Sequence, residues 1–396
     1  MEAIVLAGGM GTRLRSCVSD VPKVLAEVDG VPFLNHILSF LYRGGVTKAV
    51  LAVGYLAQKI MDCYGNRYEG MVLEYSVEHT PLGTGGAIKS ALKMCSEETV
   101  IVVNGDTFFD LDLDALMNQH CTLKADVTVA LTHFDDVSDR GSVKLDGVRI
   151  TDFCEKGVSG GGFINAGVYA VSKNLFNCVE EEKFSFEKDV LEKSRYTKNG
   201  FFANGYFIDI GTPDNYAKAK RELSYSITPR TRRALFLDRD GTLNIDTCHL
   251  YKCEDLRFID SIARLVANKR KEGYLAIVVT NQAGVAKGLY SEEDVLKLHE
   301  HINDKLEKEY STLIDAFFYC PHHPDGVVEE YTCRCKCRKP QPAMIFAAVE
   351  HFRQKGIELD LQNSVLIGDK PWDIQAGIAA GIGRNLLFDG INLPKI

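Results

Sequence analysis

Two acidic residues two apart close an apolar run in Leu235-Phe-Leu-Asp238-Arg-Asp240-Gly241-Thr242-Leu243. Within a strand such residues face opposite ways, but where a strand ends and turns their carboxylates can converge on one cation. Mg2+ suits that arrangement, since it takes oxygen ligands, needs only one or two carboxylates and completes its shell with substrate phosphate. Asp240-Gly241 alone would read equally well as a turn signal. Its company decides: Val278-Val-Thr280-Asn281-Gln282, Cys337-Arg338-Lys339-Pro340 and Val365-Leu-Ile-Gly-Asp369-Lys370 follow. In an open parallel sheet the carboxyl ends of the strands line one crevice, so these scattered polar groups can meet there. Near the N-terminus, Leu6-Ala-Gly8-Gly9-Met-Gly11-Thr12-Arg13-Leu14 lacks Cβ atoms where backbone amides would approach a polyphosphate. It is neither a P-loop, for no Gly-Lys-Ser/Thr follows, nor a dinucleotide fingerprint, for the third glycine is missing. Pro22-Lys23 adds a cation placed to return to the same phosphates. A third cluster, Cys320-Pro-His322-His323 with Cys333-Arg-Cys335-Lys-Cys337, offers S and N donors suited to Zn2+.

These residues need elements to hold them, and 396 residues suggest two domains. We expect residues 1–224 as one domain, 225–232 as a linker and 233–396 as the second, because the pattern lapses into Ser, Thr, Pro and Arg between Glu222 and Arg233. Short apolar strands alternate with helical patterns in both halves, the signature of an α/β fold with a largely parallel sheet. Strands are expected at Ala3–Ala7, Lys48–Val53, Val72–Val77, Thr99–Val103, Val127–Leu131 and Gly167–Val171, and a helix from Pro32 at N1. In the second half, strands are expected at Leu275–Val279, Ala316–Tyr319 and Val365–Ile367, and helices after Ser291 and near Ala343. Ser291 and Asp294 approximate a capping box ahead of a buried stripe of Val295, Leu298, Ile302 and Leu306. Apolar content of 45% with 25% charged residues describes an ordinary globular protein, not a disordered one. A net charge of −8 argues against a general nucleic-acid or membrane-surface partner and leaves small molecules as the expected partners. No run approaches the ~18 apolar residues of a membrane span, and the first residues lack a secretory signal's features, so the cytoplasm is expected. A homo-oligomer stays open. The twelve cysteines could form disulfides only in an oxidising compartment, whereas their clustering between Cys320 and Cys337 points to metal.

The second-half motifs resemble the haloacid dehalogenase-type phosphatases, whose Asp-x-Asp, Ser/Thr, Lys/Arg and late acidic motifs occur here in order. The resemblance implies a haloacid dehalogenase-like Rossmannoid domain with Asp238 as nucleophile and Asp240 as acid and base. It implies that Thr280 and Lys339 bind the transferring phosphoryl group, with Asn281 and Arg338 nearby and Lys370 beside Asp369. Mg2+ would be held by Asp238, Asp240 and Asp369. The cysteine-rich loop resembles that of the histidinol-phosphate and heptose-bisphosphate branch, which implies structural Zn2+ on Cys320, His322, Cys335 and Cys337, with Cys333 and His323 as spares.

The first half, through Leu6–Leu14 and Pro22-Lys23, resembles the sugar-1-phosphate nucleotidyltransferases and implies a GT-A-like fold. On that likeness Gly8, Gly9, Gly11 and Thr12 approach the triphosphate, with Arg13 and Lys23 as catalytic cations. Asp106 and Asp209 hold Mg2+, Gly83 and Gly85 pack against the nucleoside, and Glu155, Lys156 and Asn165 hold the sugar phosphate. The two resemblances together imply consecutive steps. A heptose bisphosphate loses its 7-phosphate, and the resulting 1-phosphate is activated by a nucleoside triphosphate, guanine being favoured by family likeness alone. The alternatives are another base or sugar with a histidinol-phosphatase-like domain, or one domain acting as a silent sensor.

Overall fold

The computed structural model describes residues 1–9, 14, 21–138, 142–154, 160–177, 179–223 and 230–393. Two compact units divide the chain, Met1–Thr228 and Pro229–Ile396. Residues 225–229 of the expected linker lie outside the described residues. Its last three differ from expectation, because Arg230–Arg232 is a short strand paired in parallel with Ile357–Leu359 of the second unit.

The first unit is built on a ten-stranded sheet. Its middle is parallel, with Glu2–Leu6 between Thr99–Asn104 and Lys48–Val53, and Met71–Val77 beyond. Lys48–Val53 and Thr99–Asn104 are almost continuously buried, as strands covered on both faces should be. The sheet is mixed rather than largely parallel. Gly162–Ser172 runs antiparallel to both Thr99–Asn104 and Val127–Phe134, and Ser142–Asp146 and Arg149–Cys154 form an antiparallel pair at one edge. Ile4, Val50, Val102, Val129 and Tyr169 from the sheet pack with Ile88 and Ala91 of the helix Gly83–Leu92 in one core. The helix expected at Pro32 runs Phe33–Arg43, with the proline at the cap rather than inside it.

In the second unit five strands pair in parallel in the spatial order Ala316–Cys320, Leu275–Asn281, Ala234–Leu237, Val365–Gly368, Arg384–Leu387. Because every strand points the same way, Asp238, Thr280 with Asn281, Cys320 and Asp369 all arrive at one edge of the sheet. The helix Glu292–Tyr310 starts with a closed capping box: Ser291 Oγ accepts from Asp294 N at 3.2 Å, and Asp294 Oδ2 accepts from Ser291 N at 2.9 Å. Val295, Leu298, Ile302 and Leu306 are buried as the stripe predicts, and His299 is buried with them. No helix of the described residues is long and apolar enough to cross a membrane.

Candidate active sites

In the second unit Lys339 is the hub. Its ammonium donates to Asp238 Oδ1 at 2.7 Å and to the carbonyl of Val279 at 2.7 Å, and pairs with Asp373 Oδ1 at 2.7 Å. All three charged side chains are nearly sealed, at 2% exposure for Lys339, 11% for Asp238 and 1% for Asp373. Burial alone would discharge the ammonium, but the two carboxylates outweigh it and hold Lys339 protonated. Burial pushes Asp238 up to about 6, with Asp373 and Asp240 adding to the rise and Lys339 opposing it.

Asp238, Asp369 and Asp373 each present a carboxylate oxygen, all within 4.8 Å of one another. Asp369 Oδ2 accepts from Lys370 Nζ at 2.6 Å, while its Oδ1 is buried with no hydrogen-bond partner. An orphaned buried oxygen beside two further carboxylates fits a divalent cation. Gly241 makes this approach possible. At its φ of +82°, any Cβ would run into the Asp369 carboxylate.

The carboxylates that cluster here differ by one from the three expected to hold Mg2+. Asp373, which the sequence reading passed over, stands in the cluster; Asp240 does not. The Asp240 carboxylate, 20% exposed, accepts instead from Arg239 Nε (3.1 Å) and Asn244 Nδ2 (3.0 Å) on Oδ1, and from Arg239 Nη2 (2.8 Å) and Gln282 Nε2 (3.0 Å) on Oδ2. Burial would raise its pKa, but the Arg239 charge and these bonds hold it below the usual carboxylate range. The Asp240 side chain is thus held ionised by partners of its own. The clue to Asp373 was its place: i+4 from Asp369, on the first turn of the helix Pro371–Ala380, where an acid reads as a cap. It is that too, accepting from Lys370 N at 3.0 Å.

Thr280 and Asn281 close their strand beside this cluster. Asn281 brackets Lys339, its Oδ1 accepting from Lys339 N at 3.0 Å and its Nδ2 donating to Lys339 O at 3.3 Å. Arg338 Nη1 donates to the carbonyl of His322 at 3.3 Å. That bond joins the lysine segment to the cysteine loop.

The loop brings Cys320, His322, Cys335 and Cys337 together, all four donors within 4.8 Å. The sulfurs lie 3.2–3.4 Å apart and His322 Nδ1 sits 3.4 Å from Cys337 and 3.8 Å from Cys320. A tetrahedron with Zn–S bonds of about 2.3 Å has edges of roughly 3.8 Å, so slight expansion would admit zinc. The cysteines are not disulfide-linked. Burial raises the Cys320 thiol; at Cys335 burial is outweighed by hydrogen bonds from Cys337 and the Arg338 backbone, which pull it down. Cys333 is exposed, and His323 Nδ1 is taken by the backbone N–H of Asp325 at 3.1 Å.

In the first unit a cleft of about 590 Å3 opens at the ends of the parallel strands, lined by Gly8, Gly9, Lys23, Gly83 and Asp106 among others. Lys23 Nζ donates to Asp106 Oδ2 at 2.6 Å and lies 3.9 Å from Asp209 Oδ1. Asp106 and Asp209 are brought together by the antiparallel pairing of Thr107–Phe109 with Phe207–Asp209. Asp209 Oδ1 also accepts from Gly211 N at 2.6 Å, which aims the carboxylate. Two carboxylates at 40% and 46% exposure, spanned by one lysine, fit a cation that keeps most of its ligands from substrate and water.

Gly83 and Gly85 pack against the segment at Phe184. Gly83 has φ +74° and its missing Cβ leaves room for the Phe184 carbonyl, while a Cβ on Gly85 would strike the Phe184 ring. Gly85 therefore shapes the wall from behind, and Gly83 lines it. Asn165 is held locally, its Nδ2 donating to Tyr169 Oη at 2.9 Å and its Oδ1 accepting from Gly167 N at 3.0 Å. Gly11, Thr12, Arg13, Glu155 and Lys156 lie outside the described residues. Glu78, Asn104 and Glu187 line the cleft too; two stand at strand ends and the third opens the short helix Glu187–Leu191, and no distinctive spacing marks any of them.

The family model described as nucleotidyl transferase matches residues 2–226. The chain belongs to the nucleotidyl transferase family. A second model, described as polynucleotide kinase 3 phosphatase, matches residues 234–375. The first half is 46% identical over 230 residues to D-glycero-alpha-D-manno-heptose 1-phosphate guanylyltransferase of Aneurinibacillus thermoaerophilus, 57% of this chain and 100% of the relative. The second half is 42% identical over 154 residues to D-glycero-beta-D-manno-heptose-1,7-bisphosphate 7-phosphatase of Photorhabdus laumondii, 39% of this chain and 79% of the relative. Among solved structures, HddC from Yersinia pseudotuberculosis complexed with GMP-PN is 37% identical with a TM-score of 0.52, covering 56% of this chain and 99% of that one. This nucleotidyl transferase thus carries a phosphatase after it on the same chain.

Proposed function

We propose that the chain catalyses two consecutive steps of nucleotide-sugar synthesis: release of the 7-phosphate from D-glycero-D-manno-heptose 1,7-bisphosphate, then transfer of GMP from GTP to the heptose 1-phosphate. The observation that carries this reading is that one chain holds two assembled sites, each in a unit whose relatives are named for successive heptose phosphates. The product of the second unit is then the substrate of the first. The transferase relative is named for the α-anomer and the Photorhabdus phosphatase for the β. Since the transferase consumes what the phosphatase makes, the α-anomer is the one expected to pass through both.

In the phosphatase step an Asp238 oxygen bonds to phosphorus while the bond from phosphorus to the C7 oxygen breaks, and Asp240 gives that oxygen its proton. Water then bonds to phosphorus, the Asp238–phosphorus bond breaks, and the water proton passes to Asp240. The free protein holds Asp240 ionised; the proton it donates enters with the substrate, whose phosphate titrates near pH ~6. Lys339 and Thr280 hold the phosphoryl oxygens. In the transferase step an oxygen of the 1-phosphate bonds to the α-phosphorus of GTP, and the bond to the β-phosphate oxygen breaks to release pyrophosphate. Lys23 steadies the charge on the triphosphate, with no protein nucleophile needed. Mg2+ held by Asp238, Asp369 and Asp373, and by Asp106 and Asp209, would neutralise phosphate oxygens at each site. Zn2+ on the cysteine loop, with four protein donors, is structural. Glu78 and Glu187 suit a base carrying N–H donors, such as guanine. The reactions place the protein in the cytoplasm, where nucleoside triphosphates are made.

The test supplies the purified chain with α- or β-heptose 1,7-bisphosphate, Mg2+ and each triphosphate in turn, following phosphate, pyrophosphate and nucleotide sugar. GDP-heptose from the α-anomer is expected. Faster use of another triphosphate would overturn guanine alone, and faster hydrolysis of histidinol phosphate would overturn the heptose.

A further inference from the structure

Gln282 is 1% exposed, and nothing in the mechanism above uses it. Its amide makes a full set of four hydrogen bonds. Oε1 accepts from Arg239 Nη2 at 3.0 Å and Tyr290 Oη at 2.8 Å. Nε2 donates to Asp240 Oδ2 at 3.0 Å and to Thr280 Oγ1 at 2.9 Å. The amide's orientation follows from chemistry rather than from choice. A guanidinium has only donors and a carboxylate only acceptors, so flipping the amide would break both contacts. Arg239 is itself held on several sides. It is fully buried, forks onto Asp240, and donates to the carbonyl of Leu250 at 2.9 Å.

This frame has a consequence for Thr280. Its hydroxyl oxygen accepts from Gln282, which leaves the hydroxyl proton for another acceptor. One NH2 group therefore fixes both the carboxylate that serves the leaving oxygen and the hydroxyl that serves the phosphoryl oxygens.

We propose that Gln282 is a positioning residue for the phosphatase step, aligning Asp240 with the leaving oxygen and turning the Thr280 proton to the phosphoryl group. The inference rests on the reading of Asp240 and Thr280 given above. Loss of general-acid alignment has a signature that loose packing lacks. A sugar alkoxide must be protonated as it leaves, whereas nitrophenolate leaves readily without a proton. kcat/KM reports only steps through the first P–O cleavage, so the later role of Asp240 as base does not enter.

The experiment compares kcat/KM for heptose 1,7-bisphosphate and for p-nitrophenyl phosphate in the full chain with Mg2+. For Gln282→Met, which keeps the volume and removes the donors, we expect about a hundredfold loss on the sugar phosphate and about tenfold or less on the aryl phosphate. Tyr290→Phe removes the hydroxyl that donates to Gln282 Oε1 and meets the Gly284 backbone, and it should show the same imbalance at about fivefold on the sugar phosphate; it decides the matter if Gln282→Met does not fold. Asp240→Asn separates the two layers of the argument. If it shows the imbalance while Gln282→Met and Tyr290→Phe lose both substrates equally, Gln282 is only structural and the proposal falls alone. If Asp240→Asn itself loses both equally, the acid role of Asp240 falls and takes the proposal with it.

Discussion

The two candidate sites solve the same electrostatic problem in opposite ways. Around Lys339 the charges are buried, at 2%, 11% and 1% exposure, and tied by bonds of 2.7 Å before any substrate arrives. Around Lys23, itself 11% exposed, the two carboxylates stand at 40% and 46% exposure, with one short bond and one of 3.9 Å. A covalent nucleophile, the role proposed for Asp238, has to be aimed at phosphorus in advance, and buried, tied surroundings do that. A site that only aligns two substrates can leave its charges half-solvated, because the triphosphate and its cation bring the remaining ligands. Buried ion clusters are costly to break, whereas exposed pairs contribute little to stability. The contrast therefore predicts that substitutions in one unit damage fold and function together, and in the other function alone.

The largest effect tests whether the sites are separate at all. Asp238→Asn should reduce phosphate release to background while GDP-heptose still forms from heptose 1-phosphate and GTP. Asp106→Asn should do the reverse and stall the coupled reaction at heptose 1-phosphate. Phosphate release by Asp238→Asn near the parent rate would remove the nucleophile and, with it, the reason for the rigid surroundings.

How far the sequence foretold these sites depends on where each residue sits. Asp238 and Asp369 were legible because apolar strands of a parallel sheet run straight into them, and the register delivers them to one edge. The cysteine loop was legible because its four donors crowd into a short span. Asp373 was hidden by ambiguity, since an acid three residues into a helix that begins with proline looks like a cap and is one. At Asp240, spacing shows proximity to Asp238 but not the fully buried Arg239 that pairs with its carboxylate. The mixed character of the larger sheet was missed for a different reason. The Asp146-Gly147 turn between Ser142–Asp146 and Arg149–Cys154 is a hairpin signal, but the apolar runs before it suggested only parallel crossovers.

Paired lysine variants sharpen the contrast at the next scale. Lys23→Met should lower nucleotidyl transfer about 10²- to 10³-fold, as loss of one charge-stabilising donor does. Its unit should unfold in urea within about 1 kcal/mol of the parent. Lys339→Met should abolish phosphate release and also cost about 3 kcal/mol or more in its unit, because it leaves Asp238 and Asp373 buried against each other. Equal stability losses for the two variants would erase the distinction between a rigid and a solvated site.

Zinc offers a third comparison, since among the described residues a cysteine cluster is found in the second unit alone. Metal analysis should find about one zinc per chain. Cys335→Ser should loosen the segment carrying Arg338 and Lys339, lowering phosphatase activity and the melting point of that unit while leaving nucleotidyl transfer unchanged. A zinc-free preparation with full phosphatase activity would count against the site.

The smallest effect concerns His299, which the stripe pattern did not anticipate. It is 4% exposed, stacked on Phe317 with ring centroids 4.3 Å apart, and neither ring nitrogen has a hydrogen-bond partner. Burial first, and then the Arg239 charge, pull its pKa down to about 3, against a small opposing pull from Asp240. In the unfolded chain the same ring binds a proton below pH ~6.5. Between those values the unfolded state holds more protons, so this group removes stability as the pH falls, by up to about 1.4 kcal/mol per pH unit. Asp238 slopes the other way between its unfolded value and about 6, since its folded form is the one that takes up a proton. The two partly cancel in the parent, which makes the parent's own pH profile uninformative. The difference between parent and His299→Phe isolates the histidine, because the phenyl ring can keep the stack on Phe317 and cannot titrate. Urea unfolding of the second unit should show the variant gaining about 1.6 kcal/mol relative to the parent between pH ~6.5 and ~5. Parallel profiles would mean that the histidine is solvated or protonated in the folded protein, and that its surroundings against Phe317 are wetter than the buried cluster around Lys339.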